Sequence, residues 1–319
     1  MPSIVQFIHP GAEHEPDKKD LTYKGWNHRE HKRKFLKSKG SYVDKGILGP
    51  KEVNLVFWGE WEPPTNVHGI LTRPTDIHTN RPIRLFPKWL HSRILDVEVP
   101  EYCGGLQNTD PYVFDGPFRY FTCHQSKNMN PTSLTKLDNG SLIIFGSNCK
   151  ENNLSFFQID TVFVVRKGVP YDASDDNNDL FLTHTTQEYY EKSYLRAFPV
   201  RHFYPLKLRL YEGVEFEDKD KFNGMYSFVP SKVYNNEIQG FPRIKIQSEN
   251  FIEDYQEHIN DHPSKKFKIN NSFISNKLNI NYKETKDVDS RIIKKVWQKI
   301  VERSRSVDCV EGVKFTRQT

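Results

Sequence analysis

The sequence predicts an α+β protein, a mixed or antiparallel β-barrel with peripheral helices and long ordered loops. Aromatic residues make up 13% of the 319 residues, so rings rather than aliphatic helices carry much of the apolar content. Strand-like runs recur without the regular alternation with helices that a parallel sheet requires. The proline-rich stretch 63–118 predicts ordered loops between short strands.

Alternating or continuous apolar runs bounded by turn residues indicate the strands. Asp138-Asn139-Gly140 is a tight-turn signal before one of them, and Pro230 predicts an edge or a bulge in the last. The predicted strands are 3–9, 53–59, 82–86, 94–99, 118–124, 141–147, 156–165, 206–211 and 225–234.

Three helices are predicted. A short basic helix covers 27–39, with Asn27 as its N-cap and Gly40 as its stop. A second covers 186–196, where Thr185 and Glu188 are spaced as a capping box. The third, 290–303, has apolar residues at helical spacing, and these are Ile292, Ile293, Val296, Trp297 and Ile300.

The composition becomes more polar over 240–268. We therefore expect residues 1–240 to form a β-rich barrel domain with the basic N-terminal helix. Residues 241–319 are expected to form a C-terminal helical extension packed on that domain.

Composition and missing motifs exclude several protein classes. Four cysteines without disulfide-like or zinc-like spacing are typical of a reducing compartment. The sequence has neither a signal-peptide pattern at 1–11 nor an apolar run long enough for a membrane span, so a soluble cytoplasmic protein with no membrane partner is expected. The phosphate-binding, dinucleotide, nucleophile-elbow, zincin and zinc-deaminase signatures are all missing, and no cofactor or metal is predicted.

The stretch VNLVFWGEWEPP (53–64) is the first candidate site, because two indoles and two carboxylates follow a buried strand. Trp58, Glu60 and Glu62 share one face if the strand continues through Glu62, whereas Trp61 would point to the other face. Rings can stack on a base while carboxylates accept hydrogens from its edge. Alternatively, Trp58 packs inward and the glutamates pair with the basic residues of 28–39.

Two histidines at the end of the first predicted strand are candidate partners for these carboxylates. His9 and His14 could act with Glu60 or Glu62 in acid–base or nucleophilic catalysis. The alternatives are solvated histidines or a metal site. Tyr120 and His124, at the end of another predicted strand, are further candidate substrate contacts.

The basic segment HREHKRKFLKSK (28–39) is a candidate phosphate-binding surface. The net charge of +5 is modest, but basic residues are concentrated here and in 291–319. The candidate contacts are Arg29, Lys32, Arg33 and Lys34. A solvated helix face is the alternative.

The run NGSLIIFGS, followed after a gap by FFQIDTVFVV (139–165), resembles the central hairpin of PUA-like barrels, the superfamily that includes ASCH, EVE and YTH-type domains. The resemblance implies a small barrel that binds RNA or DNA, and several branches of the superfamily recognise modified bases.

Three functions follow as hypotheses. The first is a nucleic-acid- or nucleotide-associated protein that holds a base, ordinary or modified, at the barrel rim near 58–62. The second is an enzyme acting on nucleotides or nucleic acid through Glu60 or Glu62 and His9 or His14. The third is a non-catalytic subunit whose aromatic, proline-rich middle binds a protein partner.

Overall fold

Two large sheets and a short hairpin make up the β-structure of this computed structural model, which confirms the predicted α+β class. It describes residues 2–9, 11–16, 22–23, 32–83, 86–96, 108–151, 154–174, 179–194, 206–235, 241, 243–246 and 290–316.

The larger sheet contains a closed ring of four antiparallel strands, which is the predicted barrel. Within this ring β3 (Lys34–Asp44) pairs with β5 (Val53–Gly59) and with β16 (Val310–Phe315). The fourth strand, β14 (Val229–Val233), pairs with both β5 and β16. A further strand, β7, runs parallel to β3, so the sheet as a whole is mixed. The strands of this sheet are β2 (Thr22–Tyr23), β3 (Lys34–Asp44), β4 (Ile47–Leu48), β5 (Val53–Gly59), β6 (Thr65–Ile70), β7 (Trp89–Arg93), β14 (Val229–Val233) and β16 (Val310–Phe315).

The second sheet is organised around a long hairpin that matches the predicted 141–147 and 156–165 pair. The first strand of the chain runs parallel to the first arm of this hairpin. The register between the two arms of the hairpin shifts between Phe145 and Gly146. Its strands are β1 (Ile4–Ile8), β8 (Arg119–Tyr120), β11 (Leu142–Glu151), β12 (Leu154–Asp172), β13 (Lys207–Gly213) and β15 (Ile244–Ile246); β9 (Ser126–Lys127) and β10 (Asn130–Pro131) form the short hairpin.

The helices are peripheral, as predicted. They are α1 (Asp179–His184), α2 (Gln187–Tyr189), which continues into a π-helical turn at Tyr190–Tyr194, α3 (Ser290–Arg305), and the 3₁₀ helices Ser133–Lys136 and Phe216–Phe222. The second helix is capped by Thr186, one residue after the predicted cap, and α3 buries the predicted apolar stripe. None of the described helices combines the length and apolar character needed to cross a membrane.

Alternate residues of β5 enter two separate hydrophobic clusters. Leu55 and Phe57 belong to one cluster, whereas Val56 and Trp58 belong to the other. Successive side chains of a strand point to opposite faces, so this strand forms a wall between the two clusters. The result is a core on both sides of the β3–β5 pair.

The predicted basic helix at 27–39 is wrong wherever the structure describes it. Residues 34–39 form the first half of β3, and Phe35 and Leu36 are buried in opposite clusters. Neighbouring residues on a helix lie about 100° apart and cannot reach two opposite cores, whereas those of a strand can. Residues 27–31 lie outside the described part of the chain.

Three other strand predictions differ from the structure in extent. The stretch 118–124 contributes only Arg119–Tyr120. In 82–86, of which 84–85 lie outside the described residues, Pro82 forms an isolated bridge. Residues 94–96 follow β7 rather than forming a strand, and 97–99 lie outside the described residues. The strand that closes the ring, β16, comes from the range 241–319 that was expected to be a helical extension.

Candidate active site

A group of buried charged side chains lies where several strands end. His9 directly follows β1, Glu60 directly follows β5, and Arg33 directly precedes β3. Because Lys34 pairs with Gly59, Arg33 and Glu60 leave the sheet side by side. Asp160 of β12 and Arg243, just before β15, complete the group, which we call the His9 cluster: His9, Arg33, Glu60, Asp160 and Arg243.

Arg33 holds the cluster together. Its side chain is only 1% exposed, and its Nε donates a hydrogen bond to Oδ2 of Asp160 at 2.7 Å. Its Nη1 donates to Oε1 of Glu60, and its Nη2 contacts Nδ1 of His9. Burial by itself lowers the pKa of Arg33, but Glu60 and Asp160 raise it above its ordinary value. The guanidinium therefore stays charged and holds two carboxylates and an imidazole in contact with it.

His9 and Glu60 are in direct contact. Nδ1 of His9 lies 2.7 Å from Oε1 of Glu60. The backbone N–H of His9 donates to the carbonyl of Gly146 at 2.7 Å, and the backbone N–H of Asp110 donates to Oε2 of Glu60 at 3.1 Å. Both side chains are thus oriented from the backbone, at a separation that allows proton transfer.

Arg243 is the second cation of the cluster. Its Nη1 donates to the carbonyl of Gly11 at 2.8 Å, to Oγ of Ser147 at 3.1 Å and to Oε1 of Gln158 at 3.2 Å. Its Nε lies 3.8 Å from Oδ1 of Asp160. A side chain at Gly11 would place its Cβ 2.7 Å from the Cβ of Ser147, so this close approach requires glycine.

A second polar group, the Lys34 group (Lys34, Glu62 and His91), lies beside the first. Nζ of Lys34 donates to the carbonyl of Pro63 at 3.0 Å. Burial lowers the pKa of Lys34 to about 7, although Glu62 opposes this shift. Burial, together with the charge of Lys34, lowers the pKa of His91 to about 2, so that ring stays neutral.

Asp110 connects the His9 cluster to the loop after β8. Its carboxylate accepts hydrogen bonds from the backbone N–H groups of Phe121, Thr122 and Cys123, at 3.1, 2.9 and 2.8 Å. Burial raises the pKa of Asp110 to about 7, these hydrogen bonds oppose the rise, and Glu60 adds to it. A carboxyl group that exchanges protons near neutral pH therefore lies next to the His9–Glu60 pair.

The two glutamates of the predicted strand exit belong to different groups. Strand β5 ends at Gly59, so the face shared by Trp58, Glu60 and Glu62 does not extend past that residue. Glu60 contacts Arg33, whereas the charge of Glu62 raises the pKa of Lys34. His14 lies with the Lys34 group, because its ring centroid is 6.0 Å from that of His91.

The two tryptophans lie in opposite hydrophobic clusters, but Trp61 lies beyond the end of β5, so the parity of that strand does not set its position. Trp58 is 2% exposed and Trp61 is fully buried, and their indole N–H groups donate to the carbonyls of Phe241 and Pro64. The guanidinium of Arg243 lies 4.1 Å from the ring centroid of Trp58. Trp58 thus packs inward and supports Arg243, which is the alternative weighed for it.

Tyr120 and His124 lie close to His9, because the rings of all three contact Phe7, at centroid distances of 5.6, 5.2 and 4.6 Å. Tyr120 is fully buried and its hydroxyl donates to the carbonyl of Cys123, whereas His124 is exposed. Arg33 and Lys34 point into the interior rather than onto the basic surface expected of a helix. Lys32 is half-buried and remains a candidate phosphate contact, and Arg29 lies outside the described residues.

Sequence patterns missed Asp160, Arg243 and Asp110. Asp160 had a usable signal, since it is the one charged residue in FFQIDTVFVV and a charge in a buried strand needs a partner. Arg243 and Asp110 lie in irregular polar stretches and carry no local signal. Within the described ranges, no three His, Cys, Asp or Glu side chains are grouped as ligands for a metal ion.

Comparison with known proteins adds no relative to this geometry. No protein-family model matches the chain, and no curated protein or solved structure is significantly similar to it.

Proposed function

We propose that this protein binds a nucleotide, free or within a nucleic acid, at the His9 cluster and acts on it by acid–base catalysis. His9 and Glu60 are the proton-transferring pair, Arg33 holds them in place, and Arg243 binds the anionic or carbonyl oxygens of the substrate. The single observation that carries this proposal is the contact that Arg33 makes with Glu60, Asp160 and His9 at once.

Such a cluster is hard to explain by stability alone. Removing several charges from water costs several kcal/mol each, and well-packed apolar residues of similar volume often give equal or greater stability. Groups with displaced pKa values concentrate at functional sites, and here Asp110 and Lys34 both titrate near pH 7 beside the pair. The combination supports an acid–base role for this end of the barrel.

The nucleotide class rests on the charge of the chain and on its topology. The chain is basic, with a net charge of +5. The hairpin β11–β12, which carries the PUA-like resemblance, supplies Ser147, Gln158 and Asp160 around Arg33 and Arg243. The closed antiparallel ring lies in the other sheet and does not include this hairpin, but it is compatible with a barrel fold, and members of that superfamily bind RNA or DNA.

Recognition of a base without turnover is the second candidate. The site offers both donors and acceptors, since Arg33 and Arg243 donate while Glu60 and Asp160 accept. Such a set can read the edge of a base. The two candidates differ in one measurable respect, because only the enzyme converts what it binds.

The experiment begins with native mass spectrometry of the purified protein, to identify a copurifying nucleotide or oligonucleotide. That compound, the common nucleoside mono- and triphosphates and a short single-stranded oligonucleotide are then incubated with the protein, and products are followed by mass spectrometry. We expect Glu60→Gln to lower turnover by about 10²–10⁴-fold, the usual contribution of a general acid or base. Binding should change by only a few-fold.

Glu311→Gln is the matched control, since it makes the same change in a buried glutamate that pairs with Arg305. Equal turnover in the Glu60 and Glu311 variants would reject catalysis by Glu60. Specific binding without any product, weakened in Glu60→Gln but kept in Glu311→Gln, would favour recognition. The absence of binding to every nucleotide probe would reject both candidates.

A further inference from the structure

A groove lies between α3, the 3₁₀ helix Phe216–Phe222 and the turn that joins β3 to β4. Its volume is about 300 Å³. Glu311 of the bordering strand β16 pairs with Val43 near the end of β3, whereas the His9 cluster lies at the start of β3. The two sites are therefore at opposite ends of the same strand.

The floor of this groove is aromatic. Phe216 and Tyr226 meet edge to face with ring centroids 5.0 Å apart, and Tyr226 and Trp297 do the same at 5.0 Å. The indole N–H of Trp297 donates to the carbonyl of Tyr226 at 2.9 Å, which fixes the ring. The tyrosine hydroxyl donates to Oε2 of Glu311 at 3.0 Å. The three rings form a rigid surface against which a flat ring can pack.

The rim carries basic side chains. Lys45, in the exposed β3–β4 turn, and Lys219, on the 3₁₀ helix, both border the groove. Nζ of Lys219 lies 4.4 Å from the ring centroid of Phe216, so a cation already stands over the aromatic floor. Arg305 also lines the groove but is bound to both carboxylate oxygens of Glu311. Glu302 is the acidic group among the lining residues.

We propose that this groove is a second binding site, separate from the His9 cluster, and that it takes an aromatic base bearing a phosphate. The base packs on Trp297, beside the ring of Phe216 that Lys219 covers, and the phosphate lies between Lys45 and Lys219. Stacking on rings combined with lysine contacts to phosphate is the chemistry by which proteins hold single nucleotides. The volume suits one nucleotide, which can be free or part of a single strand.

The test measures binding of adenosine 5′-monophosphate by isothermal titration calorimetry, with adenosine, inorganic phosphate and a short single-stranded oligonucleotide as parallel probes. We expect Lys219→Gln to weaken binding of the monophosphate about tenfold, the effect of losing one hydrogen bond to a charged group. Gln298→Tyr, which fills the groove from α3, should abolish binding. Adenosine and phosphate alone should each bind more weakly than the nucleotide.

Lys221→Gln is the matched control, because Lys221 is on the same 3₁₀ helix, pairs with Asp218 and does not line the groove. It should bind as the unaltered protein does. Any nucleotide bound at the His9 cluster gives the same signal in Lys219→Gln and Lys221→Gln, so a difference between these two variants reports on the groove alone. If the oligonucleotide loses affinity in the same variants, the ligand is a strand; if only the monophosphate binds, it is a free nucleotide. Equal affinities for Lys219→Gln and Lys221→Gln, or no binding of any probe, would overturn the proposal.

Discussion

The two ends of β3 show how differently the protein uses the same pair of residue types. At the Lys34 end, Arg33 and Glu60 are each 1% exposed in their side chains. At the Asp44 end, Arg305 and Glu311 pair at 2.9 Å, but the arginine is 36% exposed. The nine residue-to-residue steps from Lys34 to Val43 separate the two pairs by about 30 Å along the strand.

The difference lies in what surrounds each arginine. Arg305 binds one carboxylate, that of Glu311, and its side chain is partly exposed, so its charge is partly solvated. Arg33 has no comparable access to water and instead holds three side chains from distant parts of the chain. An exposed pair of this kind contributes little to stability, whereas a buried one is expensive to form and more expensive to break. The Arg33 pair is therefore fully enclosed by its partners, whereas the Arg305 pair is a partly solvated ion pair.

The largest expected effect comes from breaking each pair at its arginine. Arg33→Met should lower the free energy of unfolding by about 3–5 kcal/mol, because it leaves two buried carboxylates without their cation. Arg305→Met should cost only about 1 kcal/mol, since that pair is partly solvated. Burial also raises the pKa of Glu311, which can then take up a proton. Urea unfolding of the two variants measures both values, and similar losses would remove the distinction between the ends.

The next effect concerns pH and tests the groups beside the His9 cluster. Asp110 has a pKa of about 7 in the folded protein against an ordinary value of 3.8, so between those values the folded state holds a proton that the unfolded chain has lost. Its contribution to stability should fall as the pH rises through this window. Lys34 has a pKa of about 7 against 10.5, so its contribution should rise with pH between about 7 and 10.5.

Unfolding free energies measured across pH 4–10 check both signs. In Asp110→Asn, the free energy of unfolding should lose the part that falls as the pH rises towards 7. In Lys34→Met, it should lose the part that rises with pH above 7. Each component is expected to exceed about 1 kcal/mol, the equivalent of roughly one pKa unit. A variant whose pH dependence matches that of the unaltered protein would show that the residue does not titrate as described.

The smallest effect is the response to salt. Double-mutant cycles give the coupling energy of Arg33 with Glu60 and of Arg305 with Glu311. Raising the salt from about 0.05 to 1 M should reduce the second coupling by about 0.5 kcal/mol and leave the first unchanged, because ions screen exposed charges far more than buried ones. Equal salt dependence would indicate that water reaches both pairs.

The local pattern of apolar residues correctly predicted those strands and helices that have a buried face along most of their length. The strand 53–59 matches β5, and the helix 290–303 matches α3 to within two residues. The predicted hairpin arms overlap β11 and β12, which extend four and seven residues further along the chain. In each case the apolar period is visible in the residues themselves. The basic segment failed because a dense run of charges hides the two buried residues, Phe35 and Leu36, that fix the strand period.

The candidate site was likewise only partly predictable from local sequence pattern. Its first half was accessible from sequence, since His9 and Glu60 each stand at the end of a recognisable strand. Their partners Asp160 and Arg243 lie 100 residues or more from Glu60 along the chain, and only the pairing of the sheets brings them to Arg33. No local signal encodes such a contact.

The sequence by itself therefore determined the class of the fold, the main strands and the strand ends where chemistry was to be expected, because periodicity and turn residues act over a few positions. The tertiary structure decided that Arg33 enters the interior, that Trp58 supports an arginine, and that β16 closes the ring. Those outcomes depend on which distant charges and strands meet, and that is settled by the energy of the whole packed core.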